Sequence, residues 1–167
     1  MFLVFLVQFF VKGFTEFFLL DSDFILQFWR FFTAVFLHGN FTHLLYNVFA
    51  LALFGSMLEK MIGSRRFLIL FFITGILANI FSINFYDNSL GASGAIFGII
   101  GALIIIRPLM IVWAFGLPMP IFLAGILWAI GDAIGIFVPS NVANLAHLSG
   151  MFFGLVFGIL YKKNSTH

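Results

Sequence analysis

Long apolar stretches separated by short polar segments dominate the pattern of this chain. Five of them lie at about 42–61, 67–85, 92–106, 118–137 and 143–161. A helix needs about 20 mostly apolar residues to cross a bilayer, so each stretch is a candidate membrane span. A sixth stretch, 2–20, is interrupted by Lys12, Gly13 and Glu16. It is either a short, imperfect span or the remainder of a longer one. The pattern therefore predicts an all-α integral membrane protein with six transmembrane helices.

The segment 21–38 differs from these spans in mixing polar and aromatic residues. Asp23, Trp29 and Arg30 make it too polar to cross a membrane, yet it is too aromatic for a solvated linker. Tryptophan and arginine are typical of the membrane–water boundary. We expect a structured interfacial loop between the first and second helices.

The amino-acid composition is typical of a membrane protein and excludes several classes of function. The 167 residues are 63% hydrophobic and only 8% charged, with 27 phenylalanines. No soluble domain of this size could bury so much apolar surface. We expect a single domain, 1–167, in a lipid bilayer. The net charge of +2 is too small to suggest nucleic acid, and the absence of cysteine excludes disulfides and thiol catalysis.

Basic residues orient the predicted bundle. Six of the eight lie at the end of the second, fourth or sixth span or just after it: Lys60, Arg65, Arg66, Arg107, Lys162 and Lys163. The positive-inside rule makes this face cytoplasmic, so both termini are predicted to be cytoplasmic. The second, fourth and sixth spans then begin on the outer side. Ser93, fourteen residues before Arg107, would rise only about 21 Å through a core of about 30 Å. We therefore expect it below the outer surface.

Ser93 is the candidate nucleophile, at the start of the fourth span within Gly91–Gly98. Small residues also mediate helix contacts in membranes, and the two interpretations are compatible because Gly94 and Gly98 form a GxxxG pair. The expected partner is the sixth span, where small residues recur every four positions: Ala146, Gly150, Gly154 and Gly158. His147 adjoins that stripe and could act as the base that a serine requires. A purely structural histidine is the alternative, although ionisable residues within spans are usually functional.

Other polar residues of the spans have weaker assignments. Asp132 could be a third member of the site, but a Ser–His dyad is the simpler prediction. His43 and Asn47 are four residues apart, hence on one helical face, and resemble a donor pair for an oxyanion. They could instead bond each other or a loop carbonyl. His38 lies off that face and no carboxylate completes an HExxH arrangement, so we predict no metal site.

Together these residues resemble the rhomboid intramembrane serine proteases. The matching motifs are Trp29-Arg30, His38-x4-His43-x3-Asn47, Gly91-Ala-Ser93-Gly94 and Ala146-His147-x2-Gly150-x3-Gly154. The resemblance implies a six-helix core and a Ser93–His147 dyad without a cofactor. It also implies an oxyanion site made by His43, Asn47 and the Ser93 backbone N–H, with Phe97 packed on the catalytic imidazole. Trp29-Arg30 would belong to the family's half-submerged loop, and substrates would be transmembrane proteins cut in or near a membrane segment.

Two rival functions are compatible with such a chain. One is an inactive rhomboid-like binding protein, although such proteins generally lose the serine or the histidine, and both are present here. The other is a small transporter, for which intramembrane polar residues would bind substrate. Transporters often contain inverted repeats and broken helices, and the sequence indicates neither.

Overall fold

Helices make up most of the structure, a computed structural model that describes residues 1–24, 26–138 and 142–165. The α-helices are α1 (Phe2–Phe10), α2 (Phe14–Phe18), α3 (Trp29–Thr33), α4 (Phe41–Ala50), α5 (Ser56–Ile62), α6 (Ser64–Ser82), α7 (Ser93–Ile106), α8 (Ile121–Gly135) and α9 (Asn144–Ser165). A π-helical segment, Leu51–Gly55, joins α4 to α5, so these two helices form one continuous rod.

Among the described residues, three helices are long and apolar enough to cross a membrane: Phe41–Ile62, Ser64–Ser82 and Asn144–Asn164. α7 and α8 are apolar but have only 14 and 15 residues, about 21–23 Å at 1.5 Å per residue. The first apolar segment is divided into α1 and α2 at Gly13, where φ is 80°. The helical membrane architecture is thus confirmed, whereas the count of six spans stays a prediction.

Two short antiparallel strand pairs correct the all-α prediction. β1 (Leu20–Asp21) pairs with β2 (Asn88–Ser89), and β3 (Ile111–Ala114) pairs with β4 (Leu117–Pro120). The predicted span 118–137 therefore begins too early, because Pro118–Pro120 are extended and the helix starts at Ile121. A continuous apolar run concealed the change from strand to helix.

α7 lies at the centre of the bundle. It packs against α6, α8 and α9, and side chains such as Ile99, Ala102 and Leu103 are fully buried. The other helices expose large apolar side chains outwards, including Ile73, Ile130 and Phe152. An apolar exterior of this extent suits lipid rather than water. The residues of α7 are consequently held on several sides, and its two ends are fixed relative to the helices around it.

The loop before α4 is structured. It contains β1, a 3₁₀ turn at Ser22–Phe24, α3 and a second 3₁₀ turn at Ala34–Phe36. Arg30 is buried, and its Nη1 donates hydrogen bonds to the carbonyls of Glu16 (3.0 Å) and Leu19 (2.8 Å). Asn79 of α6 donates to the Phe31 carbonyl at 2.8 Å. These bonds tie the loop to α2 and α6.

Candidate active site

Ser93 is the first residue of α7, immediately after a sharp turn. Gly91 adopts φ of 119°, a conformation that L-residues rarely reach, and its N–H donates to the Ala34 carbonyl at 2.9 Å. Because Ser93 opens the helix, its backbone N–H has no acceptor within the helix and lies at the positive end of the helix dipole. That N–H can therefore stabilise a developing negative charge.

Glycines bring α9 into backbone contact with α7. A Cβ built on Gly150 would overlap the Gly94 carbonyl oxygen, and one on Gly154 would overlap the Gly98 carbonyl oxygen. A Cβ on Gly94 would lie 3.4 Å from the Ala146 carbonyl oxygen. The predicted pairing of these small-residue stripes is therefore present. It places the residue after Ala146, which is His147, at the N-terminal end of α7.

The His147 imidazole is held from two sides. Its ring stacks on Phe97 with centroids 4.3 Å apart and an interplanar angle of 4°. Phe97 is one turn after Ser93 on the same face of α7, so the imidazole lies over the face that carries the serine. The second contact is a hydrogen bond of 2.9 Å between Nδ1 and Asp132 Oδ1. An Nδ1 proton directed at this carboxylate leaves Nε2 as the acceptor.

The sequence favoured a Ser–His dyad and made Asp132 only a possible third member, yet Asp132 is the hydrogen-bond partner of His147. It lies in the last turn of α8, is 8% exposed, and forms an ion pair whenever the histidine is protonated. The end of α8 closely approaches the start of α9, since a Cβ on Gly135 would lie 2.7 Å from Asn144 Oδ1. A carboxylate within an apolar helix was the available signal, because such residues are rarely without a role.

His43 lies against the turn that precedes Ser93. A Cβ on Gly91 would be 2.7 Å from His43 Cε1 and 2.8 Å from Nε2, so only glycine leaves room for the ring. His43 also interacts electrostatically with His147. The backbone of His43 is fixed by the N-cap of α4, because its N–H donates to Asn40 Oδ1 at 2.8 Å. His43 and the candidate dyad are therefore close neighbours.

Asn47 bonds its own helix. It is 5% exposed, and its Nδ2 donates to the His43 carbonyl at 2.8 Å. This contact is close to the alternative considered from the sequence, in which the two residues bond each other. An amide carries two N–H donors, so one remains for a ligand. Within the described part of the chain, Asn47 Oδ1 is buried without a hydrogen-bond partner.

His38 supports His43 from behind, a role that the sequence did not suggest. It is 1% exposed, and its ring meets the His43 ring edge-on with centroids 5.1 Å apart. Burial, with a smaller contribution from His43, lowers the pKa of His38 from 6.5 to about 4, so the ring is neutral at pH 7. Its Nδ1 is 3.2 Å from the Phe36 carbonyl. Gln8 of α1 fixes its backbone by bonding both its N–H and its C=O.

Trp29 and Arg30 begin α3, in the loop before α4, whereas His43, Ser93 and His147 lie on α4, α7 and α9. Trp29 is 46% exposed and stacks on Phe17 of α2, with centroids 6.3 Å apart. Arg30 holds the loop through the carbonyl bonds described above. Their place is in the loop that supplies Ala34 and His38, so their influence on Ser93 is indirect.

Comparison with known proteins identifies the family of this chain. The Rhomboid domain family model matches residues 26–164. The rhomboid protease GluP of Bacillus subtilis is 35% identical over 132 residues, which cover 77% of this chain and 25% of GluP. RHOMBOID-like protein 7 of Arabidopsis thaliana is 32% identical over 136 residues, covering 80% of this chain and 43% of that protein. The rhomboid protease GlpG of Yersinia pseudotuberculosis is 27% identical, covering 87% and 52% respectively.

The three relatives are longer than this chain, whereas the family model covers most of it. The chain spans about half or less of the length of these three relatives. The family match, in contrast, extends from α3 into the last turns of α9 and includes every candidate site residue. This chain belongs to the rhomboid family.

Proposed function

We propose that this chain is an intramembrane serine endopeptidase that cleaves transmembrane segments of other membrane proteins. The observation that carries the proposal is the His147 imidazole, clamped between the Asp132 carboxylate at 2.9 Å and the Phe97 ring at 4.3 Å. Phe97, on which this imidazole stacks, lies one helical turn after Ser93 in α7. A hydroxyl beside an oriented imidazole is the general arrangement of an activated serine.

In this mechanism Ser93 is the nucleophile and His147 the general base. Ser93 Oγ attacks the scissile carbonyl carbon while Nε2 of His147 removes its proton. His147 then gives that proton to the leaving amine, and a water molecule hydrolyses the acyl-enzyme with the histidine again as base. Asp132 is a positioning residue. Its carboxylate holds the Nδ1–H tautomer and stabilises the imidazolium that forms, so we extend the predicted dyad by one residue.

The oxyanion of the tetrahedral intermediate needs hydrogen-bond donors that are fixed in advance. We assign this role to the Ser93 backbone N–H, the His43 ring and the second N–H of Asn47. The Gly91 turn supports the assignment, because it brings the His43 ring against the residues that precede Ser93. Gly94 lets the start of α7 pack closely against α6, since a Cβ there would lie 2.6 Å from the Ala78 Cβ.

The membrane context follows from the family and from the apolar helices. We propose one domain over 1–167 with six membrane-embedded helical segments. Both termini would be cytoplasmic, and the Ser93 end of α7 would be reached by water from the other side. An extended, unwound substrate segment suits this site, because a peptide bond inside an intact helix is shielded by its own turns.

The two rival functions make different predictions. An inactive rhomboid-like protein would bind membrane helices but would not react covalently at Ser93. A transporter would use His43, Asn47 and Asp132 as ligands for a moving substrate. The Asp132–His147 hydrogen bond favours the enzyme, because it consumes a polar group that a transporter would leave accessible.

A fluorophosphonate probe tests the proposal directly. The chain, purified in detergent and reconstituted in liposomes, should be labelled at Ser93 and should cleave a reporter transmembrane protein. Ser93→Ala should lose both activities and keep its melting temperature, because the smaller alanine fits the half-buried first position of α7.

Ser56→Ala is the matched control, since Ser56 is an exposed serine of α5, nine residues and about 13 Å beyond Asn47 along the same continuous helix. It should retain labelling and cleavage. Cleavage by the Ser93→Ala protein would remove Ser93 as nucleophile, and an unaltered chain that is neither labelled by the probe nor able to cleave the reporter would leave the rival binding function.

A further inference from the structure

The β3–β4 hairpin has features that the proposed activity does not use. It follows the end of α7 that lies opposite Ser93 and leads directly into α8. Val112 and Ala114 are buried against the bundle. The outward side chains are apolar and 59–73% exposed: Ile111, Trp113, Phe115 and Leu117. An isolated two-stranded ribbon with such a surface is not expected to be stable in water.

The free edge of β4 carries no N–H donor. Ile121 N–H donates to the Met110 carbonyl at 2.8 Å, which identifies 110/121 as a hydrogen-bonded pair. Such pairs alternate with non-bonded pairs along an antiparallel ladder, so Ile111↔Pro120 and Trp113↔Pro118 are the non-bonded ones. In these pairs the N–H groups point away from the partner strand. On β4 both positions are proline, which has no N–H.

The turn of the hairpin leans along α8. Its two central residues, Phe115 and Gly116, have φ of 54° and 79°, as in a type I′ turn. The Phe115 ring is 6.1 Å from the Trp128 ring. Trp128 is seven residues into α8, about 10 Å from its start, although helical side chains lean back towards the N-terminus. The turn is therefore displaced towards the middle of the bundle relative to its base at Arg107 and Ile121.

We propose that this hairpin is an interfacial membrane anchor whose partner is the lipid bilayer. Its base lies at headgroup level, and its turn and β4 edge face the acyl chains. Backbone donors without acceptors are very costly in hydrocarbon, and the two prolines remove both donors from the one edge that would meet it. Leu117 and Phe115 supply apolar area at the turn.

The remaining polar groups fix how deep the hairpin lies. The N–H groups of Ile111 and Trp113 face the free edge of β3 and need acceptors, which water and lipid ester oxygens provide at the interface. Tryptophan is also enriched at this level. Arg107, exposed at the base, is suited to lipid phosphate. The hairpin is thus shallow at β3 and deeper at the turn, continuous with the lipid-facing surface of α8.

Spin labelling tests this placement, because the chain has no cysteine. Single variants Ile111→Cys and Leu117→Cys, carrying a nitroxide, are reconstituted in liposomes. Collision with oxygen, which concentrates in hydrocarbon, is compared with collision with a water-soluble nickel chelate. Ser64→Cys at the exposed start of α6 is the aqueous reference. Ile73→Cys, half exposed in the middle of α6, is the hydrocarbon reference.

We expect the oxygen-to-nickel ratio at Leu117 to exceed that at Ser64 several-fold and to approach that at Ile73, with Ile111 intermediate. Ratios equal to that of Ser64 at both positions would place the hairpin in water. The prolines would then serve only to prevent another strand from pairing with β4. Low collision with both reagents would mean that a second copy or another protein covers it. Either result overturns the proposal. Quenching of Trp113 by brominated lipids, in a chain with Trp29→Phe and Trp128→Phe, gives an independent readout.

Discussion

The Asp132 carboxylate contacts His147 through a single hydrogen bond, and the role we propose for it acts through that histidine. A carboxylate that is 8% exposed within an apolar helix is costly unless paired, and its Oδ1 makes one 2.9 Å bond to the imidazole. Among the described residues, its Oδ2 has no hydrogen-bond partner. Buried ion pairs contribute little to net stability compared with apolar replacements. The contact is therefore better explained by control of the histidine than by stabilisation of the fold.

Asp132→Asn should lower kcat by about tenfold or more, because the amide no longer favours the Nδ1–H tautomer. KM should stay unchanged, since Asp132 does not contact substrate. Cleavage kinetics and the rate of fluorophosphonate labelling measure this effect. Asp87→Asn, an exposed aspartate, is the control for loss of one charge. Unchanged kcat together with a lower melting temperature would show that the Asp132–His147 contact stabilises the fold and does not act in catalysis.

Asn47→Ala should lower kcat by about 10- to 100-fold while KM changes little, since an oxyanion donor acts on charge that appears in the transition state. The loss is partial because His43 and the Ser93 N–H remain. Asn84→Ala is the matched control: its Nδ2 makes the same i−4 bond, at 2.8 Å to the Ile80 carbonyl, on an exposed face. A raised KM with unchanged kcat would instead assign Asn47 to substrate binding.

At the scale of helices, the contact between α7 and α9 determines where His147 lies. Gly150 and Gly154 each face a carbonyl oxygen of α7, so the two backbones touch without intervening side chains. Small residues permit this approach in membranes. A single added methyl group on either glycine must therefore separate the helices and move the imidazole away from Ser93.

Gly154→Ala should reduce cleavage strongly and lower the melting temperature, because its Cβ would overlap the Gly98 carbonyl oxygen. Gly131→Ala in α8 is the matched control, since a Cβ there meets no atom within 4 Å. The same substitution in a helix interior usually stabilises. Activity assays and thermal unfolding in one detergent compare the two. Equal activity in both variants would contradict close packing as the determinant of the site.

The sequence was sufficient for features that depend on local pattern. Apolar length located the four later helices to within a few residues, and a repeat of four identified the glycine stripe of α9. The hairpin was missed because Leu117–Pro120 extends the apolar run of α8 without a break. Alternating prolines and a Phe-Gly turn were the available signals. The Asp132–His147 bond depends on how α8 is rotated against α9, which no local pattern contains.

At the scale of the whole molecule, the proposed orientation puts the Ser93 end of α7 outside the cytoplasm. The basis is the predominance of basic residues at the other end. Asn88 lies in β2 near the Ser93 end, and Ser64 lies in the basic segment at the start of α6; both are exposed. Ser89 is a poorer probe than its neighbour because it is only 7% exposed.

In intact cells or oriented vesicles, Asn88→Cys should react with a membrane-impermeant thiol reagent added from outside. Ser64→Cys should react only after the membrane is opened. The chain contains no native cysteine, so labelling reports each position without background. The opposite pattern would invert the proposed topology and place cleavage on the cytoplasmic side of the substrate.

The backbone contact of α7 with α9 has a consequence for how freely the rest of the chain can vary. Main-chain atoms have no rotamers, so the spacing of the two backbones that carry Ser93 and His147 does not depend on the identity of the side chains that face lipid. Lipid-facing positions can then change to suit bilayers of different thickness while the reacting groups stay in register. Substitutions that adapt the surface to a different membrane should therefore leave the reacting groups in place. Tolerance to substitution should be high on the lipid-facing surfaces and low at a few glycines.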